Sequence, residues 1–246
     1  AGLKPVFAVY SSFLQRGYDQ LVHDVCMQNL PVVFAVDRAG LVGSDGETHQ
    51  GAFDLAYLSH IPNMTVLSPK NKWEFADMIR FAVNHDGPIA LRYPRGTAYD
   101  GLKEFRTPIE LGKSEVIYKE SDIAIFSVGH MMEEAYKVWE KLKEKGYHCS
   151  LVNSRFVKPM DETVFRELAD THRLYVTIEE GVETGGYGQR VANYIFKEEL
   201  PVKVLINAIP DKYVEQGSIG LLRKEILLDA DSIVEKTVAA FEKMNQ

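Results

Sequence analysis

Residues 37–51 gather most of the chain's chemically capable side chains. Asp37, Arg38, Asp45, Glu47 and His49 follow an apolar run, Pro31 to Val36, and Gly40, Gly43, Gly46 and Gly51 are interleaved with them. Glycine leaves the backbone bare and free to take positive φ, so this composition reads as a loop that can approach a ligand closely. Arg38 lies just past the end of that apolar run, and Arg95 just past a second one, Ile89 to Tyr93. Arginine grips phosphate or carboxylate through a planar, bidentate fork. The two arginines therefore read as a double grip on one anion, as surface charges, or as pairs with Asp37 or Asp45. A loop histidine beside a strand end, such as His49, offers an acid, a base or a hydrogen-bond donor; the bland alternative is a solvated loop side chain. Tyr10 and Phe13 sit at the end of the first apolar run, where a ring either stacks beneath a planar heterocycle or packs into the core. Asp45 to His49 has no second close histidine and no recognised ligand spacing, so no metal site is expected there.

These residues need strand ends to hold them, and the hydropathy pattern supplies strands. Pro5 to Tyr10, Pro31 to Val36, Met64 to Leu67 and Ile89 to Tyr93 are short apolar runs, as expected of strands buried on both faces. Between the first two, Ser11 or Ser12 can cap a helix. Its buried face is Leu14, Tyr18, Leu21, Val22, Val25 and Cys26. A helical turn is expected over 54–59, and a helix over 71–85 with Phe75, Met78, Ile79, Ala82 and Val83 buried. The alternation predicts a mostly parallel sheet flanked by helices. Arg38, Arg95, Tyr10 and Phe13 all fall at its carboxyl edge, where open α/β sheets bind ligands.

Past Gly96 the pattern weakens, with one short strand possible over 114–118. A second alternation then starts at Asp122. Strands are expected over 123–128, 149–153, 174–178 and 202–206, and helices over 132–145, from Asp161, from the Gly185-Gly186-Tyr187-Gly188 turn to Phe196, and over 219–226 and 232–244. That glycine turn reads as tight packing at a helix start, with anion binding at the helix N-terminus as the alternative. The fold expected is α/β: two doubly wound, mostly parallel-sheet domains, 1–96 and 122–246, joined by a linker over 97–121.

The bulk numbers agree with a globular protein. Of 246 residues, 46% are hydrophobic and 26% charged, and the net charge is −7. That balance supports a buried core and argues against a nucleic-acid surface. Cys26 and Cys149, far apart in sequence, read as buried free thiols in a reducing compartment. No apolar run approaches the ~18 residues of a membrane helix, so no membrane partner is expected and the chain reads as cytoplasmic. It begins without Met, directly before its first strand, and so is expected to be a piece of a longer protein or one subunit of a split one.

Four stretches carry a family likeness. Tyr10-Ser11-Ser12-Phe13-Leu14-Gln15-Arg16-Gly17-Tyr18-Asp19-Gln20 resembles a "YSTFLQRAYDQ" segment, and Asp37 to Gly51 a "DRAG…DGxTHQG" segment. Arg92-Tyr93-Pro94-Arg95-Gly96 matches "RYPRG", and Arg155 to Asp161 resembles "RFVKPLD". Together, in this order and along nearly the whole chain, they resemble the 1-deoxy-D-xylulose-5-phosphate synthase family of transketolase-like enzymes.

The resemblance implies part of a pyrimidine-binding domain followed by a transketolase C-terminal domain. It implies an enzyme that uses thiamine diphosphate with Mg²⁺ to condense pyruvate with glyceraldehyde 3-phosphate, releasing CO₂, for isoprenoid, thiamine and pyridoxal synthesis. Phe13 would stack on the aminopyrimidine with Arg16 nearby. Tyr10, Arg38 and Arg95 would hold the acceptor's phosphate, and Asp45 and His49 would line the reacting centre. The family's activating glutamate, in an "AEQHA"-like stretch, and its Mg²⁺–diphosphate region have no counterpart here. Gly43-Ser44-Asp45-Gly46 with Asn71 is no substitute, because the first glycine is displaced and Asn71 opens a helix. The chain is thus expected to be inactive without that N-terminal half and to form a homodimer with it. Two other readings stay open: a β-type subunit of another transketolase-like or 2-oxoacid dehydrogenase enzyme, and a non-catalytic assembly module.

Overall fold

The computed structural model describes residues 2–244; Ala1, Asn245 and Gln246, at the outer limits of the two expected domains, lie outside the described residues. Two five-stranded sheets are formed. In the first, β1 (Val6–Tyr10), β2 (Val33–Asp37), β3 (Thr65–Leu67), β4 (Ile89–Arg92) and β8 (Phe156–Lys158) lie in the order β1-β2-β4-β3-β8. The second comprises β5 (Glu115–Tyr118), β6 (Asp122–Ser127), β7 (Cys149–Asn153), β9 (His172–Val182) and β10 (Lys203–Ile209), ordered β10-β9-β6-β7-β5. All pairings are parallel except β3 with β8 and β5 with β7, one antiparallel edge per sheet. The expected mostly parallel α/β architecture is therefore what the chain builds. Every residue of β3 and β4 is buried, which explains why they are apolar apart from Thr65 and Arg92.

Two features cross the chain's midpoint. β5 forms within the stretch of weak pattern and joins the second sheet. β8, in the second half of the chain, joins the first sheet beside β3. Phe34, Val36 and Val66 of the first sheet share one apolar cluster with Phe126 and Tyr175 of the second. Close packing of that kind transmits displacement rather than absorbing it. The first sheet is accordingly packed against the second.

The connection after β1 departs from the expected single helix. It divides into α1 (Ser11–Leu14), a 3₁₀ turn (Gln15–Gly17) and a π-helical segment (Gln20–Cys26). Gly17, a poor helix former, lies where the hydrogen-bond pattern changes, while Leu14, Gln15, Tyr18 and Asp19 around it stay right-handed helical. The expected face survives at Leu14, Leu21 and Cys26, which are buried, whereas Tyr18 is partly out in solvent. After a short α2 (Asp54–Ser59), α3 (Lys72–Asn84) starts where Asn71 accepts the Glu74 N–H at 3.0 Å. That cap confirms Asn71 as a helix opener. Met78 and Ala82 are buried as expected, but Ile79 is exposed, since one residue past Met78 a helix has turned ~100° off the core face.

The second sheet is connected through α4 (Met132–Glu144), α5 (Glu162–Ala169) and α6 (Tyr187–Lys197), and the chain closes with α7 (Ile219–Glu225) and α8 (Ala230–Lys243). Both cysteines are free and buried, and burial pushes the Cys26 thiol up to about 11 and the Cys149 thiol up to about 12, leaving both unreactive. No helix among the described residues is long and apolar enough to cross a membrane.

Candidate active site

β2 ends at Asp37, and the chain turns at once into the loop of residues 38–51. Arg38 takes φ +56°, a left-handed conformation that swings its side chain off the strand. The neck of the loop is closed by reciprocal bonds, Gly40 N–H to the Gly51 carbonyl at 2.8 Å and Gly51 N–H to the Gly40 carbonyl at 2.7 Å. Gly51 is required there, because a β-carbon would lie 2.1 Å from the Arg38 carbonyl oxygen.

Arg38 and Arg95 meet at one pocket of about 440 Å³, whose walls include Lys70, Tyr99 and His130. Each guanidinium also has an aspartate partner. Arg38 pairs with Asp37, and Arg95 Nη1 lies 2.9 Å from Asp45 Oδ1. The two arginines thus line one pocket, and each is paired with an aspartate. These pairs are only partly covered, with Arg95 43% exposed and Asp45 29%.

A second group adjoins the pocket. The Tyr10 and Phe13 rings stack with centroids 5.2 Å apart, and His49 meets Phe13 edge-on, also at 5.2 Å. The Arg38 guanidinium lies over the Tyr10 ring at 3.8 Å, so this one side chain joins the aromatic group to the pocket. Phe13 is 48% exposed and hence presents an open ring rather than a core side chain. His49 Nδ1 lies 2.9 Å from the Thr48 hydroxyl, a neighbour in its own loop. Arg16 is exposed in the 3₁₀ turn beyond Phe13. Six of the seven candidate residues are therefore linked through contacts or a shared pocket; Arg16 stands on the same connection but outside those contacts.

Several residues behind the loop went unread in the sequence. Arg92, inside β4, is fully buried and binds Asp54 of α2 through Nε at 2.9 and 3.0 Å. Its Nη2 donates to the Glu180 carbonyl at 2.6 Å. Glu180, at the end of β9, accepts the Leu41 N–H at 2.9 Å and Arg223 Nε at 2.7 Å, and its carboxylate lies 2.7 Å from His130 Nε2. Burial alone would raise this carboxyl, but His130 and Arg223 pull it well below the usual carboxylate range. Glu179, its neighbour in sequence, behaves oppositely. Burial pushes it up to about 7, although it accepts the N–H groups of Tyr187 and Gly188 at 2.9 and 2.7 Å. The N–H groups at the start of α6 are therefore already taken by the protein's own side chain. A charged residue inside an apolar run was the available signal, at Arg92 and again where Glu179-Glu180 extend the run Leu174 to Ile178.

Gln50 completes the contact between loop and second sheet. It accepts the Val42 N–H at 2.7 Å and donates to the Val214 and Glu215 carbonyls at 3.3 and 3.1 Å. Among the described residues no group of three or more His, Cys, Asp or Glu is placed to hold a metal ion.

The chain matches the family model "Transketolase, pyrimidine binding domain" over residues 1–99 and "Transketolase, C-terminal domain" over residues 112–233. It is 51% identical over 237 residues to the 1-deoxy-D-xylulose-5-phosphate synthase of Lachnoclostridium phytofermentans and 45% identical over 238 residues to that of Clostridium tetani. Those alignments take in 96% and 97% of this chain but 38% of each relative, so the chain spans well under half the length of the curated relatives it matches. Among solved structures it is similar to a split-gene transketolase described as an inactive β4 tetramer, with a TM-score of 0.86 and 27% identity over 98% of this chain and 76% of that one. The transketolase of Campylobacter jejuni shares the fold, with a TM-score of 0.75 at 15% identity, over 96% of this chain and 35% of that one. Carrying a pyrimidine-binding domain followed by a C-terminal domain, both of the transketolase type, the chain belongs to the transketolase family.

Proposed function

We propose that this chain forms the acceptor-binding side of a thiamine-diphosphate-dependent 1-deoxy-D-xylulose-5-phosphate synthase, which joins pyruvate to glyceraldehyde 3-phosphate with loss of CO₂. The observation that carries the reading is the convergence of Arg38 and Arg95 on one pocket beside the open Phe13 ring. Identity of 45–51% to synthases of that name supports it.

The residues present suit the pyrimidine end of the cofactor. An exposed aromatic ring flanked by Tyr10 and His49 offers a face for offset stacking, worth roughly 0.5–1.5 kcal/mol beyond the buried area. When bound, thiamine diphosphate supplies the carbanion chemistry for decarboxylation and carbon–carbon bond formation. Mg²⁺ and the diphosphate belong, on this reading, to the part of the protein outside this chain. Phe13 orients the ring, with Arg16 at the rim. Arg38 and Arg95 take the acceptor's phosphate, with the Tyr10 hydroxyl beside them, and so fix where its aldehyde carbon lies. His49 and Asp45 line the reacting centre, and His49 Nε2 carries the proton exchanged with the acceptor's oxygen. The working unit is a homodimer that includes the N-terminal half, and the free buried thiols suit the cytoplasm.

The chain alone is expected to give no product from pyruvate and glyceraldehyde 3-phosphate and to bind thiamine diphosphate negligibly. The likeness to a β4 assembly described as inactive points the same way. Combined with the missing half it should form 1-deoxy-D-xylulose 5-phosphate. Arg38→Ala and Arg95→Ala should each then raise the acceptor KM about tenfold or more, the equivalent of one hydrogen bond to a charged group. Absence of product from the combined halves would overturn the reading and favour another transketolase-like activity.

A further inference from the structure

The second sheet does more at this site than pack beneath it. Glu180 is 1% exposed and reaches from the end of β9 into the neck of the 38–51 loop. Its Oε2 accepts the Leu41 N–H at 2.9 Å and lies 2.7 Å from His130 Nε2, while Oε1 accepts Arg223 Nε at 2.7 Å. The approach is possible only because residue 40 is glycine: a β-carbon there would stand 2.2 Å from Glu180 Oε2 and 3.1 Å from His130 Cε1. Gly40 also takes φ +82°, so both its backbone and its missing side chain are used. His130, tied to the same carboxylate, lines the pocket that holds Arg38 and Arg95.

We propose that Glu180 is a positioning residue for acceptor binding: its carboxylate, set by Arg223 and His130, fixes the Gly40–Leu41 backbone and thereby aims Arg38 and the rest of the loop. The proposal rests on the reading of that loop as the acceptor-binding wall. Glu180 touches no substrate itself. It acts through the loop neck, which is also closed by the Gly40–Gly51 bonds. Arg92 braces the arrangement from below, since it binds the Glu180 carbonyl and the Asp54 carboxylate together. Charge matters here as well as shape. A carboxylate is the stronger acceptor for the Leu41 N–H and the only partner that holds Arg223 and His130 at once.

Hydrogen exchange on this chain tests the positioning directly. In Glu180→Ala the amides of residues 38–51, Leu41 foremost, should exchange about tenfold or more faster, while β6 and β7 keep their wild-type protection. Glu180→Gln, which keeps shape and loses charge, should show a smaller change in the same place; if the alanine variant does not fold, the glutamine variant decides. Exchange over 38–51 indistinguishable from wild type overturns the proposal. With the N-terminal half added, Glu180→Gln should raise the glyceraldehyde 3-phosphate KM about tenfold and leave the pyruvate KM within about twofold. Equal effects on both substrates, or an unchanged acceptor KM, overturn it too. A combination that makes no product at all fails the functional reading instead, and the exchange result still stands on its own.

Discussion

Arg92 and Arg95 are three residues apart, and the same β4 end delivers both, yet they face two different regions. Arg92 and its partner Asp54 are both completely buried. Arg95 and Asp45 sit at the mouth of the pocket, partly in water. An ion pair that is dry is costly to break, because removing one partner strands the other charge in a low dielectric. A wet pair is held weakly and can exchange its partner for a ligand. The contrast teaches that the buried pair belongs to the frame, while the open pairs are free to serve the recognition role proposed for them. Arg92→Ala should therefore lower the unfolding free energy by about 3–5 kcal/mol, whereas Arg95→Ala should change it by no more than about 1 kcal/mol. Urea denaturation of both variants checks this, and similar losses would break the distinction.

Glu179 and Glu180 repeat the contrast within one strand, where successive side chains point to opposite faces. Glu180 meets Arg223 and His130 and stays ionised. Glu179 accepts backbone N–H groups at the start of α6 with Arg92 and Asp54 nearby, and burial outweighs the lowering effects of those N–H groups and Arg92, pushing it up from 4.5 to about 7. A carboxyl raised in the folded state holds its proton more tightly there than in the unfolded chain. Its contribution is complete below the unfolded value and is lost as pH rises toward 7. Between pH 4.5 and 7 the wild type should lose on the order of 3 kcal/mol relative to Glu179→Gln, which carries no titrating proton. Denaturant titrations of both proteins at pH 5 and pH 8 measure that difference. A constant offset between the two at both pH values would mean that Glu179 is ionised throughout, like its neighbour.

How much of this could be read from the sequence follows the same division. The strands, the strand-end arginines and the glycine loop were legible, because apolar runs and glycine spacing are local signals. The open ring of Phe13 was legible only as one of two readings, since exposure depends on what packs alongside. The frame was not legible. Glu180 reaches Leu41 across 139 positions and Arg92 reaches Glu180 across 88, and no local pattern encodes such a contact. β8 escaped for a similar reason: three residues before Pro159 give too short a run, and its partner β3 lies about ninety positions earlier. The expected helix after β1 is present, but a correct apolar face does not reveal that its hydrogen bonding shifts from α through 3₁₀ to π.

The open pairs sharpen the comparison on the side of recognition. If Arg38 and Arg95 exchange their aspartates for a phosphate, the Arg38→Ala,Arg95→Ala double variant should lose roughly 1.5–3 kcal/mol of acceptor binding per arginine while its unfolding transition moves little. Acceptor titration beside urea denaturation separates the two quantities.

The smallest effect is the most telling in its sign. Asp45→Asn removes the resting counter-ion of Arg95, a pair with both members partly in water, so stability should change by about 1 kcal/mol or less. If the pocket takes the acceptor's phosphate as proposed, that phosphate competes with Asp45 for the same guanidinium. The Asp45→Asn variant should therefore bind glyceraldehyde 3-phosphate somewhat more tightly, by a factor of about five at most, since only a weak pair has been removed. Arg38 offers the internal control, because its partner Asp37 lies next to it in sequence and also bonds the Arg38 N–H. Asp37→Asn should loosen the turn as well as free the guanidinium, and should gain less. Weaker acceptor binding in Asp45→Asn would have the opposite meaning: Asp45 would then contact the acceptor itself, and Arg95 would be held in place by its partner rather than released from it.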